Sequence, residues 1–423
     1  MIAGIDFGTT NSVLCLLGTD GVPRSVRFGF AGAEHEVFRS VLAFWQEDEG
    51  RARVVRSAGG PEAVQTYLDD ALACRLIMSM KTYLSQRSFT QTRIFSRDFR
   101  LEDLVARFLR TMVEASGVEV SRVVAGRPVR FAGESANDAL GEERLRAAFA
   151  RAGFEQVDVA LEPEAAGYRF IRGLQRAATV LVGDFGGGTS DFSLLRFTPR
   201  RDDGPGGGIA HLGQSGIGIA GDVFDRRIME RVVCPLLGRD DTFRVMGKEM
   251  PVPVGLYAGL AQWHRLSLMR TPKVLGEIAE IARTAEYPER LLALAGLIRE
   301  EAGYELYRAV SASKAALSGA DRTVLRFDHP GLSIAREIRR DEFEEWIADD
   351  LRALAGAVDR VLETAGVAAE EVDDVFLTGG TSLVPAVRRL FADRFGADKL
   401  RGGGEFISVA EGLALIGQDR TPR

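Results

Sequence analysis

The sequence has little cysteine and no excess of positive charge. Its three cysteines, Cys15, Cys74 and Cys234, form no C-x-x-C pair, which argues against a disulfide scaffold or a zinc site and predicts buried packing residues. Its 54 Lys and Arg residues against 60 Asp and Glu residues give a net charge of −6. Neither a nucleic acid nor an anionic membrane is therefore an expected partner.

Long apolar segments are also missing. No apolar run approaches the roughly 18 residues that a membrane-spanning helix needs, and the N-terminus has neither the basic nor the apolar region of a secretory signal. These absences predict a cytoplasmic protein. Lysine is scarce as well, since only Lys81, Lys248, Lys273, Lys314 and Lys399 occur, so each lysine is a candidate for a specific role.

What the sequence does have is glycine and an internal repeat. It contains 47 glycines in 423 residues, and IDFGTTNSVLCLL at residues 5–17 is echoed by GDFGGGTSDFSLL at residues 183–195. Each segment combines two β-prone apolar runs with a Gly/Thr turn between them, the pattern of a hairpin. The repeat predicts two hairpins of one design.

The elements after each hairpin also follow one order. Periodicity predicts helices at 101–115, 142–151 and 163–171 and strands at 120–125 and 157–161 in the first half. In the second half it predicts helices at 342–364, 383–394 and 409–416, a strand at 372–378 and a less certain strand before the last helix. Small residues in the two closing helices, Ala165-Ala166-Gly167 and Ala410-Glu411-Gly412, would allow a close helix crossing.

The predicted fold class is therefore α/β, with duplicated mixed-sheet lobes around a cleft. Lobe I is expected at 1–175 with an insertion at about 28–97, and lobe II at 176–423 with an insertion at about 223–320. The second insertion reads as largely helical, at 257–269 and 275–317. The glycine-rich stretch 202–208 reads as a loose turn.

Each hairpin offers the chemistry of a phosphate site. Consecutive backbone N–H groups at a Gly-Thr-Thr or Gly-Gly-Gly-Thr tip can point at one anion, and the hydroxyls add donors. Asp6 and Asp184 stand at the equivalent strand ends, where two carboxylates beside a triphosphate suit a Mg²⁺ ion that keeps most of its waters. One such hairpin alone would as readily be an ordinary turn, but the pair favours a nucleotide.

Four ordered motifs carry a resemblance: GIDFGTTNS at 4–12, EPEAA at 162–166, DFGGGTSD at 184–191 and TGGTSLVP at 378–385. They resemble the nucleotide-binding domain of the DnaK family of seventy-kilodalton heat-shock chaperones, and the chain looks most similar to the YegD-like, DnaK-related ATPases. The resemblance implies the actin-like ATPase fold, ATP/ADP and Mg²⁺ as ligands, and a protein client or partner that the sequence does not identify.

The resemblance also implies roles for individual residues. It gives the phosphates to Gly8, Thr9, Thr10 and Asn11 on one side and to Gly186, Gly187, Gly188 and Thr189 on the other. Asp6 and Asp184 would order the waters of Mg²⁺, with Asp184 also catalytic. Lys81 would stabilise the transferring phosphoryl group, Glu162 would accept from the water shell, and Thr189 and Asp191 would place or deprotonate the attacking water. The remaining nucleotide contacts would come from Gly221, Asp222, Lys314, Ser318, Gly379, Gly380 and Thr381.

The adenosine pocket departs from the family pattern. Lys314 and Ser318 are retained, but Ser311 stands where an acidic residue is usual, and Ala315 and Leu383 stand where two arginines would sandwich the adenine. Loss of both arginine planes removes cation–π and packing contacts to the base. Weaker or altered base recognition with retained phosphate binding is the expectation.

The leading function is a Mg²⁺-dependent ATPase, for which the resemblance implies a chaperone-related role. No peptide-binding domain is expected, since few residues follow the helix ending near Ile416. The alternative is a weakly hydrolysing or non-hydrolysing nucleotide sensor or scaffold that binds a partner when the lobes close. A dinucleotide site at G-x-G-x-x-G, residues 216–221, is disfavoured because no βαβ unit surrounds it. Protein-kinase and small-molecule-kinase readings lack their catalytic motifs, and a filament is not testable from one sequence.

Overall fold

The computed structural model describes residues 1–50, 52–132, 136–199, 208–261, 269–402 and 406–420. The strands in these ranges are β1 Ile2–Phe7, β2 Asn11–Leu17, β3 Pro23–Ser25, β4 Phe28–Phe30, β5 Ala33–His35, β6 Phe38–Arg39, β7 Val41–Glu49, β8 Ala52–Gly59, β9 Arg75–Met78, β10 Gln91–Ile94, β11 Arg97–Arg100, β12 Arg122–Arg127, β13 Gln156–Leu161, β14 Ala178–Phe185, β15 Ser190–Thr198, β16 Gly208–Ile217, β17 Thr242–Val245, β18 Lys248–Pro251, β19 Arg322–His329, β20 Leu332–Arg339, β21 Asp374–Thr378 and β22 Leu400–Arg401.

The α-helices in the same ranges are α1 Gly60–Asp69, α2 Met80–Tyr83, α3 Leu101–Ser116, α4 Asp138–Ala152, α5 Glu162–Ile171, α6 Gly221–Ile228, α7 Cys234–Leu236, α8 Gly255–Ala261, α9 Pro272–Ala282, α10 Pro288–Arg299, α11 Gly303–Gly319, α12 Arg340–Trp346, α13 Ala348–Ala365, α14 Pro385–Phe395 and α15 Ser408–Asp419. Proline lies in the first turn of α5, α9, α10 and α14, where its missing N–H costs no helical hydrogen bond. The helices predicted in both halves are present with ends shifted by a few residues, except that the one predicted at 342–364 is divided into α12 and α13.

Two sheets repeat one topology. The first has the order β13-β12-β1-β2-β3, and the second has the order β22-β21-β14-β15-β16. In each sheet the first three strands run parallel and the next two pairs are antiparallel hairpin neighbours. The predicted duplication of a mixed sheet is therefore confirmed strand by strand.

The two hairpins share a register as well as a topology. In β1–β2, Asp6 lies opposite Val13 and Phe7 opposite Ser12. In β14–β15, Asp184 lies opposite Asp191 and Phe185 opposite Ser190. Because side chains alternate between the two faces of a sheet, equal register sends equivalent positions of the two repeats to equivalent faces.

The closing helices α5 and α15 cross at small residues. A Cβ atom added at Gly412 would lie 1.7 Å from the backbone oxygen of Ala165, and one added at Gly4 would lie 2.1 Å from the backbone oxygen of Ala410. Backbone therefore touches backbone at both contacts, with no room for a side chain. The close crossing predicted from these residues is present, and it fixes α15 against both α5 and β1.

The chain divides into two compact units, residues 1–221 with 351–423 and residues 222–350. The insertion at 223–320 is predicted to be largely helical. This prediction was incomplete, because β17 and β18 form a hairpin within it. A two-residue turn with positive φ at Met246 and Gly247 connects them, the turn that a tight hairpin favours. The helix predicted at 275–317 is three helices, interrupted before Pro288 and Gly303.

Some further predictions have a direct outcome. All three cysteines are buried, as predicted. The segment 216–221 runs from the end of the antiparallel strand β16 into α6, which is not a dinucleotide-binding βαβ unit. Of the turn predicted at 202–208, residues 202–207 lie outside the described residues, as does the central part of the helix predicted at 257–269. Among the described helices, none is long and apolar enough to cross a membrane.

Candidate functional site

The tips of the two hairpins carry the predicted phosphate-binding residues. Gly8 has no space for a side chain, since a Cβ there would lie 2.0 Å from the backbone oxygen of Asn11. In the second hairpin the N–H of Gly186 donates to the backbone oxygen of Thr189 across 2.9 Å and closes the turn. The glycines thus permit two tight turns whose remaining N–H groups can serve an anion.

The two tips lie next to each other. A Cβ added at Gly188 would lie 3.4 Å from Oγ1 of Thr9, so the backbone of the second tip lies about one side-chain atom away from the first. The Oγ1 atom of Thr10 is buried and makes no hydrogen bond to any described residue. An unsatisfied buried hydroxyl costs free energy, and a phosphate oxygen would satisfy it. The neighbouring Asn11 accepts a hydrogen bond from Arg39 through its Oδ1 atom at 3.0 Å.

Lys81 is buried and forms an ion pair with Glu162. Its Nζ atom lies 2.6 Å from Oε1 of Glu162, and the two side chains are only 9% and 6% exposed. The short helix α2 places Lys81 there because Met80 and Leu84 on either side are anchored in the core. The residue before α2, Ser79, holds a left-handed conformation with φ of 52°, which non-glycine residues rarely adopt.

Glu162 begins α5, directly after strand β13. A Cβ added at Gly126, at the end of the neighbouring strand β12, would lie 2.9 Å from Cγ of Glu162. Gly126 therefore clears the space that the carboxylate occupies. The prediction for Glu162 came from its motif, whereas Gly126 was missed because only the strand pairing reveals what it faces.

Four carboxyl groups share this site with one ammonium group. Burial raises the pKa of Asp6 to about 7, with the charge of Glu162 adding to the shift and Lys81 opposing it. Burial, followed by Glu162, Asp6 and Asp191, raises the pKa of Asp184 well above its usual value. Burial lowers the pKa of Lys81, but the charges of Glu162 and Asp6 outweigh burial and raise this pKa above its ordinary value. The site is short of positive charge, and a bound cation would correct the shortage.

Asp191 is the most buried of the predicted catalytic carboxyl groups, with 1% exposure. Its Oδ1 atom accepts a hydrogen bond from the backbone N–H of Arg130 at 3.2 Å, and Thr189 donates a second one through its side chain. Burial nonetheless raises the pKa of Asp191 to about 7, with Glu162 adding to the effect. A carboxyl group with this pKa is suited to accept a proton near neutral pH.

Gly216 is a second glycine whose role was missed. It lies opposite Asp191 in the β15–β16 ladder, and a Cβ there would lie 2.6 Å from Oδ1 of Asp191. The residue belongs to the segment that mimics a dinucleotide motif. The position of Gly216 on the edge strand β16 shows instead that the absence of a side chain there makes room for the Asp191 carboxylate.

The loop after β21 lies beside the second hairpin. Thr378 pairs with Asp184 in parallel register, and Gly379 follows with φ of 84°. A Cβ added at Gly379 would lie 2.0 Å from the backbone oxygen of Phe185. The predicted residues Gly379, Gly380 and Thr381 therefore leave the sheet at the same edge as the Gly186–Gly188 turn.

The predicted residues of the second unit form a separate group. In that unit, Nζ of Lys314 lies 2.9 Å from Oδ2 of Asp225. Burial raises the pKa of Asp225, while Lys314 opposes the shift. The same face of α11 carries Lys314 together with Ser311, Ala315 and Ser318, because these positions are spaced three or four residues apart along the helix. Asp222 opens this unit, while Gly221 closes the first segment of the other unit.

A magnesium ion fits the chemistry of the first unit. Among the described residues, no cluster of three or more His, Cys, Asp or Glu side chains has the geometry to ligate a metal directly. Mg²⁺ typically takes one or two carboxylates and fills its other positions with water and phosphate oxygens. Asp6 and Asp184 are the carboxylates at the two hairpins that match this donor set.

Comparison with known proteins finds similarity to chaperones. The sequence profile of the Hsp70 protein family matches residues 299–422. The chaperone protein DnaK of Thermotoga neapolitana is 25% identical over 422 residues, which cover 98% of this chain and 58% of that protein. DnaK of Deinococcus proteolyticus is 24% identical over 435 residues, covering 97% and 58%, and DnaK of Halobacterium salinarum is 25% identical over 421 residues, covering 98% and 55%. The chain thus spans somewhat more than half the length of these curated relatives.

Proposed function

We propose that the chain, which matches the Hsp70 profile at residues 299–422 and resembles DnaK along 98% of its length, is a member of the Hsp70 family with the actin-like ATPase fold expected from the repeat, and that it binds ATP and hydrolyses it with the help of Mg²⁺. The observation that carries the proposal is the closeness of the two glycine hairpins, where a Cβ added at Gly188 would lie 3.4 Å from Oγ1 of Thr9, together with a buried Lys81–Glu162 pair. This combination offers anion donors, a cation and several carboxyl groups in one place.

Phosphate binding is the first step of the proposed reaction. Backbone N–H groups at residues 8–11 and 186–189 and the hydroxyl of Thr10 donate to phosphate oxygens. Asp6 and Asp184 would hold the waters of Mg²⁺, which supplies positive charge to the β- and γ-phosphates when bound. Such contacts stabilise the charge that develops on the transferring group.

Water then attacks the γ-phosphorus in line with the bond to the leaving group. Thr189 and Asp191 orient this water, and Asp191 accepts its proton, as its pKa near 7 permits. The bond between the γ-phosphorus and the bridging oxygen breaks, leaving ADP and phosphate. Lys81 stabilises the equatorial oxygens, and Glu162 holds Lys81 and accepts from nearby water.

One contact favours a second function for the same site. The ammonium group of Lys81 is already paired with Glu162 at 2.6 Å. If this pair persists when nucleotide binds, Lys81 contributes less to the transferring group, and the protein acts as a sensor that binds ATP without rapid hydrolysis. Closure around the nucleotide would then expose a face for a protein partner.

We extend the proposal to a chaperone-related role with a protein client or partner, on the ground that the relatives are chaperones. Likeness to the YegD-like ATPases and the division into lobes 1–175 and 176–423 stay predictions. Replacement of the expected arginines by Ala315 and Leu383 supports weak discrimination between adenine and guanine.

Phosphate release tests the proposal. It would be measured with ATP, with GTP and without nucleotide, each with and without Mg²⁺, on the wild type, Asp184→Asn and the exposed control Asp98→Asn. We expect Mg²⁺-dependent release that Asp184→Asn lowers at least tenfold and the control leaves unchanged, because Asp184 lies beside the Gly186–Gly188 turn whereas Asp98 is an exposed residue of β11. ATP binding without release identifies the sensor, and release that ignores Asp184→Asn contradicts the ATPase assignment.

A further inference from the structure

An exposed aromatic ring lies over the glycine loop that follows β21. Phe406 is 49% exposed, and Leu383, the last residue of the 3-10 turn Gly380–Leu383, is 40% exposed. A methyl group added at Gly380 would lie 3.5 Å from Cε1 of the Phe406 ring. Single exposed apolar residues are common, but these two border the same glycine.

Hydrogen bonds anchor the chain near both partners of this contact. Oγ of Ser408, two residues beyond Phe406, lies 2.6 Å from Oγ1 of Thr378 in a buried hydrogen bond. The hydroxyl of Ser382 donates to the backbone oxygen of Gly379 at 2.6 Å and closes the turn that contains Gly380. The exposed face therefore belongs to a fixed surface of the first unit.

This surface lies near the proposed phosphate site. Thr378 pairs with Asp184, so the loop that carries Gly380 leaves the sheet about 4.8 Å, one strand spacing, from the strand that leads into the Gly186–Gly188 turn. Ligands of open α/β sheets bind at the edge where parallel strands end. A nucleotide with its phosphates at the glycine turns has its base within reach of the neighbouring loop.

Resting on the proposed nucleotide site, we infer that Phe406 provides the face on which the base of the bound nucleotide stacks, with Leu383 packing beside it. An aromatic ring stacks on any base because every base has a π face, so it supplies affinity with little choice of sequence or base. The ring therefore contributes affinity for a purine without distinguishing ATP from GTP.

The experiment separates the base from the phosphates. Dissociation constants for ATP and for inorganic tripolyphosphate, both with Mg²⁺, would be measured by calorimetry on the wild type and on Phe406→Ala, Phe406→Leu and Phe406→Trp. Phe95→Ala is the matched control, because Phe95 is another exposed phenylalanine, 38% exposed, in the β10–β11 turn.

We expect Phe406→Ala and Phe406→Leu to weaken ATP binding about tenfold and to leave tripolyphosphate binding unchanged. Phe406→Trp should keep the wild-type affinity for ATP, and Phe95→Ala should change neither ligand. Phe406→Leu guards against misfolding, because it keeps an apolar side chain of similar size without an aromatic plane.

The inference is overturned if Phe406→Leu binds ATP as tightly as the wild type, or if both ligands weaken equally. It is also overturned if wild-type protein binds ATP no more tightly than tripolyphosphate, in which case the phosphate site stands and the base contact does not. Failure of the wild type to bind either ligand removes the proposed function itself and the inference with it.

Discussion

The β1–β2 and β14–β15 hairpins have the same register but different side chains at their tips. In both, a fully buried serine fixes the turn: Ser12 hydrogen-bonds to Ser40 at 2.9 Å, and Ser190 donates to the backbone oxygen of Ile219 at 2.6 Å. Beyond that shared serine the residues diverge, since Val13 in the first hairpin stands where Asp191 stands in the second.

The divergence teaches how one backbone can carry two chemical tasks. The first tip offers the hydroxyls of Thr9 and Thr10, whereas the second offers glycine backbone at 186–188 and the carboxyl group of Asp191. The buried serine is the same in both repeats, whereas Val13 and Asp191 differ at one register position. A change at Asp191 should therefore alter chemistry, whereas a change at either serine should alter stability.

The largest effect is expected from Lys81→Ala. Loss of the one ammonium group among four carboxyl groups should lower the rate of ATP hydrolysis roughly 100- to 1000-fold, while nucleotide still binds through both hairpins. Single-turnover kinetics and calorimetry would measure the two quantities, with the exposed Lys248→Ala as control. Unchanged turnover would remove Lys81 from the mechanism and favour the sensor.

Asp191→Asn removes the charge at the position where the first hairpin has the uncharged Val13. We expect turnover to fall about 100-fold, and we expect the nucleotide-free protein to become more stable at pH 8. The sign follows from the raised pKa: the carboxyl group keeps its proton in the folded state up to about pH 7 but loses it near pH 4 in the unfolded state, so raising the pH between these two values favours the unfolded state.

Urea unfolding at pH 5 and pH 8 measures this stability. Wild-type stability should decline between the unfolded-state pKa near 4 and about pH 7, and the variant should show a shallower decline. An equal decline in both proteins would mean that Asp191 is not the titrating group.

The crossing helices offer a matched pair of glycine substitutions. Gly412→Ala should destabilise the fold by about 2 kcal/mol, because its Cβ meets the backbone of Ala165 at 1.7 Å. Gly167→Ala should cost less, since its Cβ meets Leu195 Cδ1 at 2.5 Å and Val182 Cγ2 at 2.8 Å, and side-chain atoms can move. Equal losses in urea unfolding would contradict a backbone-limited crossing.

The smallest expected effect is the release of protons when Mg²⁺ and ATP bind. Mg²⁺ and ATP together should lower the pKa of Asp6 by supplying a cation, and because about half of the Asp6 carboxyl groups are protonated at pH 7, binding at that pH should release about half a proton. Calorimetry in two buffers of different ionisation enthalpy measures the release. At pH 9 the release should vanish, because Asp6, with a pKa of about 7, is already ionised; a release that persists at pH 9 would point to another group.

Local patterns predicted the repeat and most of the elements around it. Hairpins, helices and strand order follow from apolar periodicity and from glycine placement, which act over a few residues. The hairpin of β17 and β18 was missed because its strands are four residues long and leave little alternation to detect. The break at Ile347 between α12 and α13 has no proline or glycine to signal it.

The site was predictable by type but not by geometry. Asp6 and Asp184 could be paired through the repeat, but the contact between Lys81 and Glu162 spans 81 residues and needs the folded sheet. The clearance that Gly126 and Gly216 provide depends on strand register, which a single sequence does not fix.

Ser79 shows what the placement of Lys81 costs in evolutionary terms. A serine held at φ of 52° carries about 1 to 2 kcal/mol of backbone strain, which a glycine at that position would relieve. Such a change is a single substitution that would make the protein more robust while loosening the turn that aims Lys81. A strained serine at this position is the kind of compromise in which a protein gives up stability to keep one side chain in position.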